Sequence, residues 1–316
     1  MRFLVVAVAF VVAFGGLASS QGPPVGVAPY EIVAIIERED GGGLTVWHLN
    51  EKEEVAGWWG TGPHCDDPLV SFVWSKGEFR YISFPDAFST TAEGVSNLGF
   101  VTGGFFVEKP VRDPTTNSCH GYRQGYFMSP DGEFHTLPWV SLHSVVNNIT
   151  PNGWMTGPTV LCESPGGEGC QFGFLYNGRD EPLFLDPPGC PFGIDARDVN
   201  TRGDVVGLCG KVRNRGAHGF RYSNGAYEFI DFPGASDTEA LGTNSPGDLI
   251  GRAWLGAAGG HVEFIRRGNR FAVIELVGVE GLVSFRVYDI NEAGTIAGTM
   301  TGTDNRQRGF IARPIR

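Results

Sequence analysis

Short apolar runs, most with polar residues at alternate positions, are separated along this chain by Gly, Asn, Asp and Pro. The stretch 198–251, DVNTRGDVVGLCGKVRNRGAHGFRYSNGAYEFIDFPGASDTEALGTNSPGDLIG, shows the unit most fully. It opens on an Asn-x-x-Gly turn, Asn200 to Gly203, passes through four apolar segments, and starts the same phrase again at Asn244. Period-two alternation bounded by turn residues predicts strands, and Asn and Gly supply the positive φ that tight hairpins need. No segment carries the 3.6-residue apolar period of a substantial helix.

The phrase recurs. NEKEEVAG, SNLGFVTG, TPNGWMTG, NTRGDVVG, NSPGDLIG and NEAGTIAG end in Gly57, Gly103, Gly157, Gly207, Gly251 and Gly298. The first copy has Glu53 where the others have the turn Gly, the second shifts its Asn by one, and the third has Thr150 in place of Asn. A second phrase follows each turn, with an aromatic anchor at Phe72, Phe127, Phe174, Phe220 and Phe264, and a sixth copy starting at Gly309-Phe310. Two hairpins per repeat of about 45–50 residues predict an all-β, six-bladed β-propeller. The last copy supplies three strands, and Tyr30–Glu37 reads like the missing fourth. Pairing of that strand with Phe310–Ile315 would close the last blade and leave no inner edge. An open solenoid or a pair of sandwiches is the alternative.

The phrases HGFRYSNGAYEFIDFPGASDTEALGTNSPGDLIG and GFLY…DARDVNTRGDVVG resemble the HAF repeat of exported bacterial proteins. His218, Gly219, Phe220, Asp231, Pro233, Gly234, Ala235, Asn244, Gly247 and Gly251 match that pattern, best across about 170–300. The resemblance implies an exported repeat protein and carries over no catalytic residue.

Export is also read from the start of the chain. Met1-Arg2, the apolar run Phe3–Phe14 and the small residues Ala18-Ser19-Ser20 form a secretory signal peptide over 1–20, too short to span a bilayer. The division expected is signal 1–20, linker 21–29 and repeat domain 30–316. The net charge is −11, one unit more acidic once Arg2 leaves, which disfavours nucleic acid as a partner. The 47 Gly, 20 Pro and 23 Phe suit short strands and tight turns rather than disorder. Six Cys in an exported chain favour disulfides over a metal site, so the location expected is secreted or periplasmic.

In a propeller the connections from second to third strand and from blade to blade share one face. The segments 58–70, 104–124 and 158–171 fall there, with Cys65, Cys119, Cys162, Cys170, Cys190 and Cys209. The pairs expected are Cys162–Cys170, Cys65–Cys119 and Cys190–Cys209. Candidate ligand contacts on that face are Trp58, Trp59, Trp254, Asp66, Asp67 and His120, since exposed rings can stack on sugars or meet a partner protein. His64, His120, His218 and His261 do not share a repeat register, and no metal or other cofactor is expected. Acids near the face are Asp66, Asp67, Asp113, Asp186, Asp195, Asp231 and Asp237; those beside Gly, Ser and Thr read as turn acceptors. No nucleophile elbow or phosphate loop is present. The reading is a monomeric binding module for an extracellular protein or glycan, with no catalytic residue assigned. The rivals are a secreted glycan or ester hydrolase with carboxylates at the channel mouth, and a structural envelope protein.

Overall fold

The protein's structure, a computed structural model, describes residues 25–60, 67–112, 119–137, 139, 143–161, 171–212, 215–256 and 259–315. All regular structure among them is β. One antiparallel sheet holds Thr45–Leu49, Val55–Trp59, Val70–Ser75 and Glu78–Ile82 in chain order. A second holds Ser89–Val95, Val101–Phe106, Arg123–Met128 and Phe134–Thr136. A third has its innermost strand divided into His143–Ser144 and Asn148–Ile149, followed by Met155–Val160, Gln171–Tyr176 and Leu183–Leu185. The fourth is Ile194–Val199, Val205–Val212, Arg215–Ser223 and Ala226–Ile230. The sheets stand in a propeller-like ring, each first strand packed beside that of the next repeat.

Six separate four-stranded blades are not what forms. The last two repeats make one eight-stranded sheet, because Gly26–Ile36 pairs on both sides. Its first half runs parallel to Arg270–Val277, Gly26 facing Ala272 and Glu31 facing Val277. Its second half runs antiparallel to Gln307–Pro314, Tyr30 facing Pro314 and Ile36 facing Gly309. The N-terminal strand therefore does pair with the C-terminal one, as the repeat count predicts. It also starts at Gly26, inside the stretch expected as a linker, because the outer edge of the preceding repeat offers it unpaired backbone groups.

The Gly that ends each turn phrase is a packing residue. Gly57, Gly103, Gly157, Gly207, Gly251 and Gly298 lie opposite Phe72, Tyr126, Phe174, Phe220, Phe264 and Phe310 on the third strand. All six rings are fully buried. A Cβ on any of these glycines would collide with a carbonyl oxygen of the first strand or its break and would crowd the ring. The second repeat's anchor is thus Tyr126 rather than Phe127, which is half-buried and stacks on His135. The sequence YF admits either register; the strand's period of two, fixed by Gly103, decides it.

The Asn of the phrase has two duties. Its Oδ1 caps the turn: Asn200 accepts from Arg202 N–H at 3.0 Å and Asp204 N–H at 3.1 Å, and Asn50, Asn244 and Asn291 do the same in their repeats. Its Nδ2 reaches the next repeat. Asn50 donates to Ser96 O, Asn200 to Asn244 O, Asn244 to Asn291 O, and Asn291 across the chain ends to Asn50 O. Where Ser96 and Thr150 replace Asn, a hydroxyl caps the turn. Asn152 then makes the bridge to the next repeat, donating to Thr201 O, while Asn97 accepts from Glu51 N–H of the preceding one. Glu53, standing where a Gly was expected, holds φ at 59° and meets Arg313.

Candidate functional site in the central channel

The first strand of each repeat lines the channel. In five of them the pairing slips by one residue, leaving Trp47, Glu93, Arg197, Leu241 and Tyr288 without a partner across the ladder. Asn147 takes this place in the divided strand of the third repeat. A bulge turns two successive side chains to the same side. Trp47 and His48, Asn147, Arg197 and Asp198, and Tyr288 and Asp289 thus meet around one small void in the channel. This waist separates a wide mouth on the face of the second-to-third-strand connections from a narrower opening on the turn face.

The mouth is a cavity of about 320 Å³ reaching from Trp47 and Trp58 to Arg123, His143 and Gln171. Two carboxylates face it. Glu93 is buried and paired with Arg123 at 2.5 Å; Arg123 also hydrogen-bonds Thr91 and lies over the Phe106 ring. Asp195 pairs with Arg197 at 2.8 Å, and Arg197 stacks over Trp47. Burial raises the Asp195 carboxyl above its ordinary range, and the charge of Glu93 adds to this; Arg197, Asn147 and Arg123 oppose it. Four polar atoms here are buried without a partner: Glu93 Oε2, Asp195 Oδ1, Arg123 Nε and Arg197 Nε. Such atoms cost about 1–3 kcal/mol each unless water or a ligand meets them.

On the turn-face side of the waist stand His48, Asp198 and Asp289, which line both it and the narrower opening, with ligand atoms within 4.8 Å of one another. Each bridges to the next repeat: Asp289 Oδ2 accepts from Leu49 N–H at 2.8 Å, Asp198 Oδ2 from Thr243 N–H at 2.7 Å, and His48 Nδ1 from Val95 N–H at 3.3 Å. Because Nδ1 accepts, the His48 proton sits on Nε2, 3.3 Å from Asp289 Oδ2. Burial lowers the His48 pKa, so this contact is a neutral hydrogen bond. Burial raises both carboxyls, and Asp289 raises Asp198 further by like charge.

Of the expected contacts, Trp58 lines the mouth. Trp59 does not: its ring packs on Phe72, Phe79 and Tyr81 beneath Arg38, inside the first repeat. Trp254 packs against Arg252 and does not line the cavity, and Asp67 is exposed at the surface. Asp66, Cys65, Cys162 and Cys170 lie outside the described residues, as do the side chains of Cys119 and His120. The Cys190–Cys209 disulfide forms, with Cα atoms 5.4 Å apart. His218 pairs with Asp231 at 2.5 Å, and Asp237 accepts from Ala217 N–H in another strand, so neither of these bonds is the turn contact expected of those acids. Asp195 was among the acids singled out. Glu93, Asp198, Asp289 and His48 were not, although His48, Asp198 and Asp289 each stand two residues before a turn Asn, at one repeat position.

No family model and no curated protein matches this chain. Among solved structures it is similar to a Trypanosoma rangeli sialidase bound to 2,3-difluorosialic acid, at 9% identity and TM-score 0.49. That alignment covers 92% of this chain and 57% of the sialidase, so the chain spans little more than half its length. It is also similar to a putative gluconolactonase, at 13% identity and TM-score 0.47, over 92% of this chain and 94% of that one. A virginiamycin B lyase from Staphylococcus aureus matches at 12% identity and TM-score 0.46, over 89% and 98%.

Proposed function

We propose that the protein is an exported hydrolase acting in the mouth cavity on a small glycan or ester, with Asp195 as proton donor and Glu93 as its charged partner. One observation carries this reading: two acids share a polar cavity in different surroundings. Glu93 is ion-paired with Arg123, while burial favours the protonated form of Asp195 and leaves its Oδ1 without a partner. A buried acid that keeps its proton beside a second carboxyl is the arrangement a proton donor needs. Trp47 and Trp58 supply apolar wall for a sugar or acyl group.

The eight-stranded sheet counts, in this reading, as two blades, because the Gly–aromatic pair recurs in all six repeats, and the repeat is of the HAF type. The Cys190–Cys209 disulfide fits an oxidising compartment and hence export. No helix among the described residues is long and apolar enough to cross a membrane.

The test is turnover of a panel of chromogenic glycosides and esters by the secreted protein, beside Asp195→Asn and Glu93→Gln. Turnover by wild type that falls at least 100-fold in both variants, with folding and ligand binding kept, is the result expected. Ligand binding in the cavity without turnover of any substrate would restore the binding-module reading. Activity unchanged in both variants would remove the cavity from the chemistry.

A further inference from the structure

The acids at the waist have a geometry that the mouth-cavity reading does not use. Asp198 and Asp289 lie side by side near the channel axis, each 3% exposed. Among the described residues neither pairs with a Lys or Arg. Asp198 Oδ1 accepts from Val199 N–H and from Asn148 Nδ2, and its Oδ2 from Thr243 N–H alone. Asp289 Oδ2 accepts from Leu49 N–H and faces His48 Nε2, and its Oδ1 accepts from Ile290 N–H alone. A carboxylate has about four acceptor directions, so one oxygen of each acid keeps a direction open.

A second observation is independent of the acids. Asn148 occupies the same repeat position on the third repeat and is 5% exposed. Its Nδ2 donates to Asp198 and to Val199 O, which fixes the amide's orientation, and its Oδ1 is buried with no partner at all. Asn148, Asp198, Asp289 and His48 line one cavity of about 70 Å³ that opens on the turn face past Glu51 and Glu292. That is room for about two waters at roughly 30 Å³ each.

We infer that Asp198, Asp289 and the amide oxygen of Asn148 hold a hard divalent cation, Ca²⁺ or Mg²⁺, on the channel axis, with water completing its shell. Two carboxylates and an amide oxygen are the donors such ions prefer over softer ones. His48 is a positioning residue: its Nε2–H holds Asp289, and its Nδ1 is taken by Val95 N–H, so it offers the ion no lone pair. Such outer hydrogen bonds orient ligating carboxylates. Glu51 and Glu292 place negative charge at the opening and draw cations in.

The experiment uses the whole secreted protein, stripped with EDTA and titrated by calorimetry with CaCl₂ and, separately, MgCl₂. Tb³⁺ serves as a second probe, because Trp47 lies beside the cluster and would sensitise its emission. Saturable binding of one ion per chain is expected, at least 10-fold weaker in Asn148→Ala and lost in Asp198→Asn. Asn148→Ala keeps both acids and their backbone bonds, so it reads the site even if the Asp variant folds poorly. No binding at millimolar concentrations of either ion would overturn the inference, as would binding unchanged in Asn148→Ala and Asp198→Asn. Neither result depends on turnover, so the mouth-cavity reading stands or falls separately.

Discussion

Replacing Asn200 separates a turn residue from a bridge between repeats. The side chain is 3% exposed and makes four hydrogen bonds: two accepted from Arg202 and Asp204 N–H, and two donated to Asp204 Oδ2 and Asn244 O. In Asn200→Ala the Arg202 N–H can find water, but the Asp204 N–H and the Asn244 carbonyl are left buried. At roughly 1–1.5 kcal/mol for each lost bond, the expected cost is about 3 kcal/mol. Asn200→Asp keeps both caps and loses both donors. It also sets a second carboxylate about 3 Å from Asp204 Oδ2, a repulsion of roughly 5 kcal/mol at an effective dielectric of about 20. Arg202 and Arg221, which already pair with Asp204, offset part of this. The net expectation is about 4 kcal/mol, no better than Ala. If Asn200 served the turn alone, Asp would be nearly neutral, since the two residues cap equally well. Urea denaturation followed by far-UV dichroism and tryptophan fluorescence measures the difference. An Asn200→Asp protein within about 1 kcal/mol of wild type would refute the bridge.

Two further outcomes test the packing and the electrostatics. Gly207→Ala puts a Cβ against the Asp195 carbonyl oxygen and the Phe220 ring, and should cost roughly 3 kcal/mol or more in a urea melt, with Gly225→Ala, open to solvent but at φ 83°, costing only about 1 kcal/mol. Burial alone would raise the Asp204 carboxyl, but hydrogen bonds from Ser223, Asn200, Arg202 and Arg221 outweigh it and hold it well below the carboxylate range. A carboxyl with a depressed folded pKa stabilises above the unfolded value of about 3.9 and loses that contribution as pH falls toward the folded one. Asp204→Asn should therefore be about 2–4 kcal/mol less stable than wild type at pH 7, with the gap narrowing only below about pH 4. A gap independent of pH down to 2 would contradict this.

The repeat was legible because each of its parts has a strong local cause. Gly207 and its equivalents recur because one close approach recurs, and Asn200 and its equivalents because one turn and one bridge do. The strand pairing of Tyr30 with Pro314 followed from counting strands. What sequence could not supply was register against a distant strand. Tyr126 and Phe127 are both acceptable anchors until Gly103 is known to face one of them. The parallel pairing of Gly26–Glu31 with Ala272–Val277 joins segments far apart in the chain and leaves no local pattern. Within the candidate face, the direction of single side chains was not legible for a related reason. Trp59 and Trp254 were chosen for their position after the second strand, but their direction depends on what packs beneath them, and in Trp59 that is Phe72 and Phe79.

The bulge in the first strands ties these levels together. Without it, strict alternation would send only every second residue to the channel and the intervening ones into the sheets. The extra residue at Trp47, Glu93, Arg197, Leu241 and Tyr288 lets adjacent side chains both face inward and divides the channel into two chambers. Arg197 turns to the mouth, where it pairs with Asp195, while Asp198 turns to the axial cluster and bonds Thr243 N–H in the next repeat. After three of the five bulges the next residue is held by the ring itself, since His48, Asp198 and Asp289 use the neighbouring backbone as an anchor; after the other two it is Gly94 and Gly242. Glu93 and Arg197, at their bulges, and Asp195, two residues before the second, have no such duty. Their unpartnered atoms gather in the wider chamber because the ring's own bonds are satisfied one layer below.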